Sequence, residues 1–586
     1  MTFRKTMESP FKSFGREVSA LLCKAYGSLG LDAEPVVETP PDPSMGDSAS
    51  PCFNLAKLAR KSPVALASGI ANAIRGMERD TVYRVEAAGP YVNFFINEER
   101  VVEMTMDAIS KEGDRYGVLP PTGNKVILEH TSANPNGPFH VGRARNPIIG
   151  DTLVRIFRKA GNEVDAQFYV DDMGKQVAIL AWGVNNLKPG DITAVEREKH
   201  DHKLVVYYQK ANALMGEDEK VKAEIHDLLR RTEECEPEAL DYVTSVYTGV
   251  LEGMVESMER MNVRVDSFIP ESNVVKDGST ARVIEALQKS GYAEKEPDSK
   301  AWGVDMAQFG VTGRSTKFYF VRSDGTSLYA TRDIAYHLWK SEHCDRMVNV
   351  LGEDHRLEAK QVAECLKLVG AGKLPEVVFY SFVSLPEGKM STRRGRVVFL
   401  DDLLDEAVGR AYDEVKARRG DELSEDEMRR IAESVGIGAV RYNIVKVQPE
   451  KAITFKWEEA LAFDGQTAPF IQYSHARCAS ILRKAKEAGA LSKPDSGKLF
   501  HPSEIDLVKS LAKLPDVIGE AAETCKPHAV ATYAYEVAAN LNVFYRDCQV
   551  IGSGEFEGAR LSLIGAAKAV LANTLDTLGI DAIETM

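Results

Sequence analysis

Val126–Arg143 reads VILEHTSANPNGPFHVGR, and three kinds of structure follow one another within it. Val126, Ile127 and Leu128 form the short apolar run of a buried parallel strand. Pro135, Gly137 and Pro138 then make a tight polar loop, and a helical pattern starts near His140. A strand that feeds such a loop and then a helix is built to handle phosphate. N–H groups at the helix start face the ligand, and the helix dipole favours negative charge there. His140 can donate to a phosphate oxygen, and Gly142 leaves bare backbone for a flat base.

Outward from this segment the pattern repeats. Ala166–Val170 is a second apolar strand, and it delivers Asp171 and Asp172 to the same sheet edge, where open α/β sheets bind ligands. Lys317–Val321 and Arg346–Leu351 are further strands, the latter ending at Gly352-Glu353-Asp354-His355. Tyr329 and Asp333, four apart, share a face if a helix starts there. Another apolar run, Val377–Leu385, leads into the basic loop Gly388-Lys389-Met390-Ser391-Thr392-Arg393-Arg394-Gly395.

His140-Val141-Gly142-Arg143 together with Lys389-Met390-Ser391-Thr392-Arg393 resembles the two signatures of class I aminoacyl-tRNA synthetases. SANPNGPFHVGR, YVDDMGKQ from Tyr169 and DGTSLYATRDIAYH from Asp324 resemble the arginyl-tRNA synthetases in particular. That likeness runs over nearly the whole chain. It implies ligation of L-arginine to its tRNA through an arginyl-adenylate, with AMP and pyrophosphate released and ATP·Mg²⁺ as substrate.

The same resemblance assigns the residues. His140, Gly142, Arg143, Lys389, Ser391, Arg393 and Arg394 would carry catalysis. Asn134, Pro135, Asn136, Gly137, His140, Gly142, Gly352, Asp354, Lys389 and Met390 would hold ATP. Glu129 and Asp333 would pair with the planar guanidinium of arginine, with Tyr329 beside them and Ser132, Asn134, His140 and His355 nearby. Three positions depart from the family. Arg143 and Thr392 stand where histidine and lysine are usual, and His355 where many members have glutamine. The attacking carboxylate is already ionised, so no general base is needed.

The expected architecture is multidomain α/β. A tRNA-contacting α+β domain (1–112) precedes a Rossmann-like catalytic domain in two halves (113–177 and 301–400). A mainly helical, solvated insertion (178–300) separates those halves. A helical connection (401–455) and an all-α anticodon-binding domain (456–586) follow. In that last part Tyr473, Arg477 and Lys484 share one helical stripe while Ile471, Cys478 and Ile481 share another. With Tyr545 and Arg546, the first stripe offers rings for bases and cations for phosphates.

The 586 residues exceed what one core holds. A net charge of −14 speaks against a general nucleic-acid binder. Even Lys456–Met586 carries 13 basic against 17 acidic residues, so tRNA binding would depend on local basic stripes. Eight scattered cysteines without a C-x-x-C pair argue against zinc and disulfides. With no apolar leader or membrane span, a cytoplasmic monomer is expected. Two other readings stay open at this point. A small nucleotidylyltransferase shares the H-x-G-H chemistry but lacks the long helical C-terminus, and a tRNA-binding paralogue could have lost catalysis.

Overall fold

The computed structural model describes residues 9–195, 197–313, 316–323, 325–384, 399–489 and 496–586. At the N-terminus the helices Pro10–Ser28 and Pro63–Arg75 cover a three-stranded antiparallel sheet. Its strands are β1 (Ser48–Pro51), β2 (Val82–Ala88) and β3 (Tyr91–Ile96), in the order β1-β3-β2. Val82, Val85, Val92, Phe94 and Ile96 turn inward. The Gly46-Asp47 turn belongs to this packing. A Cβ at Gly46 would sit 2.7 Å from the Phe94 carbonyl oxygen, and Asp47 accepts from the Ile96 N–H.

The next strands are β4 (Lys125–Glu129), β5 (Glu163–Val170) and β6 (Ser267–Pro270). β7 (Ala293–Lys295), β8 (Trp302–Asp305) and β9 (Lys317–Val321) follow, then β10 (Arg346–Gly352) and β11 (Glu376–Tyr380). Five of them make a parallel sheet in the order β11-β10-β4-β5-β6. From β4 the chain winds one way through β5 and β6, and from β10 it winds the other way to β11. The crevice at that reversal, beyond the strand ends, is where such sheets bind ligands. Asn146 spans it, accepting from the Thr131 N–H (2.8 Å) and donating to the Val350 carbonyl (3.0 Å).

Two expectations are corrected here. Lys317–Val321 is a strand, but it pairs antiparallel with β8 in a separate sheet, β7-β8-β9. Phe318 and Phe320 bury into a second core with Ile334 and Val362 rather than extending the parallel sheet. The 178–300 stretch is mainly helical, but it is not only solvated surface. Its helices His200–Glu217, Glu219–Glu233 and Pro237–Arg260 pack Ala211, Ile225, Val250 and Met254 into the main core. Ser267–Pro270 returns from them as the edge strand of the catalytic sheet. Asp218 separates the first two of these helices and caps Glu219–Glu233 by accepting from Lys220 and Val221.

Helices Leu400–Arg419 and Glu425–Val445 lead to the C-terminal bundle, Ala468–Glu487, Pro502–Ala512, Leu514–Thr524, Pro527–Asp547 and Glu557–Thr577. A buried ionic joint ties these parts together. Arg441, wholly buried, donates to Asp151 Oδ2 (2.6 Å), the Met261 carbonyl (2.6 Å) and the Leu578 carbonyl (2.9 Å). Arg155 reaches the same carboxylate (2.8 Å). Burial pulls the Asp151 carboxyl upward, but the two arginines outweigh it and leave it below its ordinary value.

Candidate active site

The loop after β4 is held by its neighbours. Thr131 adopts φ +68°, costly for a β-branched residue, and Ala133 bridges to Val170 at the end of β5. Asn134 Nδ2 donates to Asp171 Oδ2 (2.8 Å), and Asn136 Nδ2 donates to Gln176 (2.6 Å). The helical start predicted near His140 is a 3₁₀ turn, Val141–Arg143, followed by the helix Arg145–Lys159. The Gly142 N–H donates to His140 Nδ1 (3.0 Å), so the ring proton lies on Nε2. Arg143 is exposed. Gly352 ends β10, and a Cβ there would lie 2.4 Å from Asp354 Oδ1.

At the ends of the parallel strands lies a cavity of about 180 Å³, lined by residues from both halves of the sheet, though not by His140. Ser132, Asn134, Tyr169, Asp171 and Glu271 contribute from the β4, β5 and β6 ends. Tyr329, Asp333 and His337 contribute from the helix Tyr329–His343, and Asn349, His355 and Glu358 from around β10. Three buried atoms, Tyr169 Oη, Asp171 Oδ1 and Glu271 Oε2, find no hydrogen-bond partner among the described residues. Unsatisfied buried acceptors are costly, so this wall is shaped for a cationic donor.

The charges are arranged to the same end. Burial pushes the Glu271 carboxyl up to about 8, only partly offset by Arg332 Nε at 3.0 Å. Asp333 faces the ring of His337 (3.1 Å to Nδ1). Lys340 Nζ approaches His337 Nε2 at 3.1 Å, and an ammonium only donates, so Nδ1 carries the proton and donates it to the Asp333 backbone carbonyl (2.8 Å). Burial lifts the Asp333 carboxyl, yet His337 and Lys340 more than offset that and leave it below its ordinary value. His355 is shifted upward by its bond to Glu358 (3.0 Å).

Of the residues read from sequence, Ser132, Asn134, Tyr329, Asp333 and His355 meet in this cavity, with Tyr329 half exposed at its rim. Glu129 does not line it. Its Oε2 accepts from the buried Lys340 (2.8 Å) and its Oε1 from Ser132 Oγ (2.8 Å), so it acts from behind the wall. Sequence reasoning left Asp171, Glu271, His337, Lys340, Asn349 and Glu358 without roles. Asp333, His337 and Lys340 at i, i+4 and i+7 of one helix were a usable signal, a polar stripe on a face otherwise built to be buried. Lys389, Met390, Ser391, Thr392, Arg393 and Arg394 lie outside the described residues.

Comparison with known proteins agrees with this geometry. Residues 105–457 match the family model for the catalytic domain of class I tRNA synthetases (R). The chain is 47% identical to the arginine–tRNA ligase of Methanocella arvoryzae over 92% of its length and 93% of that protein. The chain belongs to the arginyl-tRNA synthetases. These are class I enzymes that ligate arginine to tRNA at the expense of ATP. Residues 13–96 match the arginyl-tRNA synthetase N-terminal domain, and 471–586 the DALR anticodon-binding domain. The Methanothermobacter thermautotrophicus ligase is 43% identical over 98% of this chain and all of its own. The solved Thermus thermophilus arginyl-tRNA synthetase superposes with a TM-score of 0.79 at 28% identity, covering 97% of this chain and 100% of that one.

In this arginyl-tRNA synthetase three residues of the predicted C-terminal set, Tyr473, Arg477 and Tyr545, come together. The Arg477 guanidinium lies over the rings of Tyr473 (4.8 Å) and Tyr545 (5.1 Å) and donates to Asn542 (2.7 Å). Lys484 is exposed on the same helix, while Arg546 is paired with Asp547 (2.7 Å). His475 is structural, bonded through Nδ1 to the Ile583 carbonyl (2.8 Å). Among the described residues no helix is long and apolar enough to cross a membrane.

Proposed function

We propose that the cavity between β5 and the helix Tyr329–His343 holds L-arginine, and that the His140 turn holds the ATP phosphates. Three partnerless acceptors in one acidic cavity at the strand ends carry this reading. The guanidinium meets Asp333 and the open oxygens of Asp171 and Glu271, with Tyr169 and Tyr329 beside it. Ser132 and Asn134 lie toward the amino-acid backbone. Glu129 supports the wall through Lys340.

The arginine carboxylate attacks the α-phosphorus of ATP and a P–O bond to pyrophosphate breaks. A ribose hydroxyl of tRNA then displaces AMP from the adenylate. The protein's work is placement and charge neutralisation. His140 donates Nε2–H to a phosphate oxygen, and Gly142 with the Asn134–Gly137 loop gives the base and phosphates bare backbone. Asp354 accepts from the ribose, Lys389, Arg393 and Arg394 meet the leaving pyrophosphate, and Mg²⁺ arrives with ATP. Tyr473, Arg477, Lys484, Tyr545 and Arg546 contact tRNA, as do residues 1–112. The protein acts as a cytoplasmic monomer.

Arginine-dependent ATP–pyrophosphate exchange tests the pocket. Breaking one partner of a buried ion pair costs about 3–5 kcal/mol. Asp333→Asn is therefore expected to lose arginine activation by more than a hundredfold, roughly 2.7 kcal/mol, with KM for ATP little changed. Parental kcat and KM for arginine in that variant would remove the guanidinium from Asp333.

A further inference from the structure

The helix His200–Glu217 touches the nucleotide side of the site from behind, through side chains that the reaction does not consume. Asp401 is the centre of a buried polar network. Its Oδ2 accepts from His202 Nε2 (2.8 Å) and Lys199 Nζ (2.9 Å), and its Oδ1 accepts from Ser257 Oγ (2.9 Å). Lys199 also reaches Asp201 (3.2 Å). Burial opposes ionisation of Asp401, but His202, Lys199 and Ser257 outweigh it and hold the carboxyl well below its usual range. Asp201, His202 and Asp401 bring ligand-type atoms within 4.8 Å of one another. The Lys199 ammonium already supplies the positive charge there, so this is an ion network and not a metal site.

Asp401 follows the segment that pairs with the first signature. Phe399 bridges antiparallel to His140, and the Leu400 N–H donates to the Phe139 carbonyl (2.8 Å). The His202 ring meets Phe399 edge-on, with centroids 5.0 Å apart. Three residues along, on the same helical face, Val205 closes on the nucleotide loop: a Cβ on Gly137 would come within 2.5 Å of its Cγ2. Buried ion networks rarely add stability over apolar packing of the same volume. What this one supplies is placement.

We propose that Lys199, His202 and Asp401 are positioning residues for adenylate formation: they clamp Phe399–Leu400 onto Phe139–His140 and so fix the imidazole that meets the ATP phosphates. The proposal rests on His140 contacting ATP. Misplacing a reacting group by about 1 Å costs up to about 100-fold in rate.

The test is kcat and KM in arginine-dependent ATP–pyrophosphate exchange with tRNA present, for His202→Leu, His202→Gln and His140→Asn. In His202→Leu kcat is expected to fall roughly 10- to 100-fold. KM for arginine should stay within about twofold, because the arginine cavity does not touch this helix. The amide of His202→Gln can still donate to Asp401, so that variant should recover most of the loss. If the leucine variant does not fold, Asp401→Asn, which keeps the shape and removes the charge, carries the same expectation. Parental kcat in His202→Leu beside an impaired His140→Asn overturns the proposal alone. So does a glutamine variant no better than leucine, or a fall in kcat matched by an equal rise in KM for arginine. Parental kcat in His140→Asn overturns the ATP reading beneath it.

Discussion

Arginine binding should expel a proton, and Glu271 should be its source. Burial holds this carboxyl up at about 8, against an ordinary 4.5, with Arg332 on one oxygen and the other oxygen buried without a partner among the described residues. At pH 7 a group titrating near 8 is about nine-tenths neutral. A guanidinium against the open oxygen requires the carboxylate, so binding at pH 7 should release about 0.9 proton. Ionising the group first costs about 1.4 kcal/mol at that pH, and arginine affinity should climb nearly tenfold from pH 6 to 7 and level off above about 8.

The sign for stability follows from the same shift. The folded value lies above the unfolded one, so without arginine Glu271 contributes most below pH 4.5, and that contribution is lost as pH rises through about 8. Titration calorimetry at pH 7 in phosphate and in Tris reads the released protons directly, as the dependence of the heat on buffer ionisation. His355 is also shifted upward, by its bond to Glu358, so the decisive comparison is with Glu271→Gln. That variant should release about 0.9 proton fewer and bind arginine with little pH dependence. Equal proton release by the parent and Glu271→Gln would refute the reasoning.

Lys340→Met should strand Glu129 without its cation and cost about 3–5 kcal/mol of stability, read as a lowered urea midpoint; an unchanged midpoint would show that the pair contributes nothing. Arg477→Ala and Lys484→Ala should each weaken tRNA binding and reduce its salt slope by about one, with arginine and ATP affinities unchanged; a parental slope would leave the stripe as plain surface. Arg393→Ala or Arg394→Ala should lower single-turnover adenylate formation about 10²–10³-fold, because Thr392 leaves the pyrophosphate one lysine short. If both react at the parental rate, Lys389 and Arg143 become the candidates.

What could be read from sequence divides along physical lines. β4, β5 and β10 are mostly apolar, interrupted at Asp165, Gln167 and Asn349, and are followed by polar loops, as a doubly covered strand requires. Lys317–Val321 has the same composition, and nothing within five residues says which sheet its backbone will join. Ser267-Phe268-Ile269-Pro270 is too short, and too marked by its proline, to announce an edge strand. Asp333 and Tyr329 were legible because one helix carries both. Glu129 was readable as a carboxylate at a strand end, but its ion-pair partner Lys340, 211 positions away in the chain, was not. Glu271 escaped notice because only folding brings the β6 end beside β5.

The joint at Arg441 limits how this enzyme can be rearranged. Its guanidinium is shared among the helix that follows His140, the turn before β6 and the Leu578 carbonyl near the C-terminus. A fragment ending before the anticodon-binding helices would keep the buried cation and discard one of its acceptors. Grafting those helices from another synthetase would demand a carbonyl at the same spot. The anticodon reader is thus no appendage: its last turn accepts a hydrogen bond from a cation buried against the catalytic domain, and the two are best exchanged as a pair.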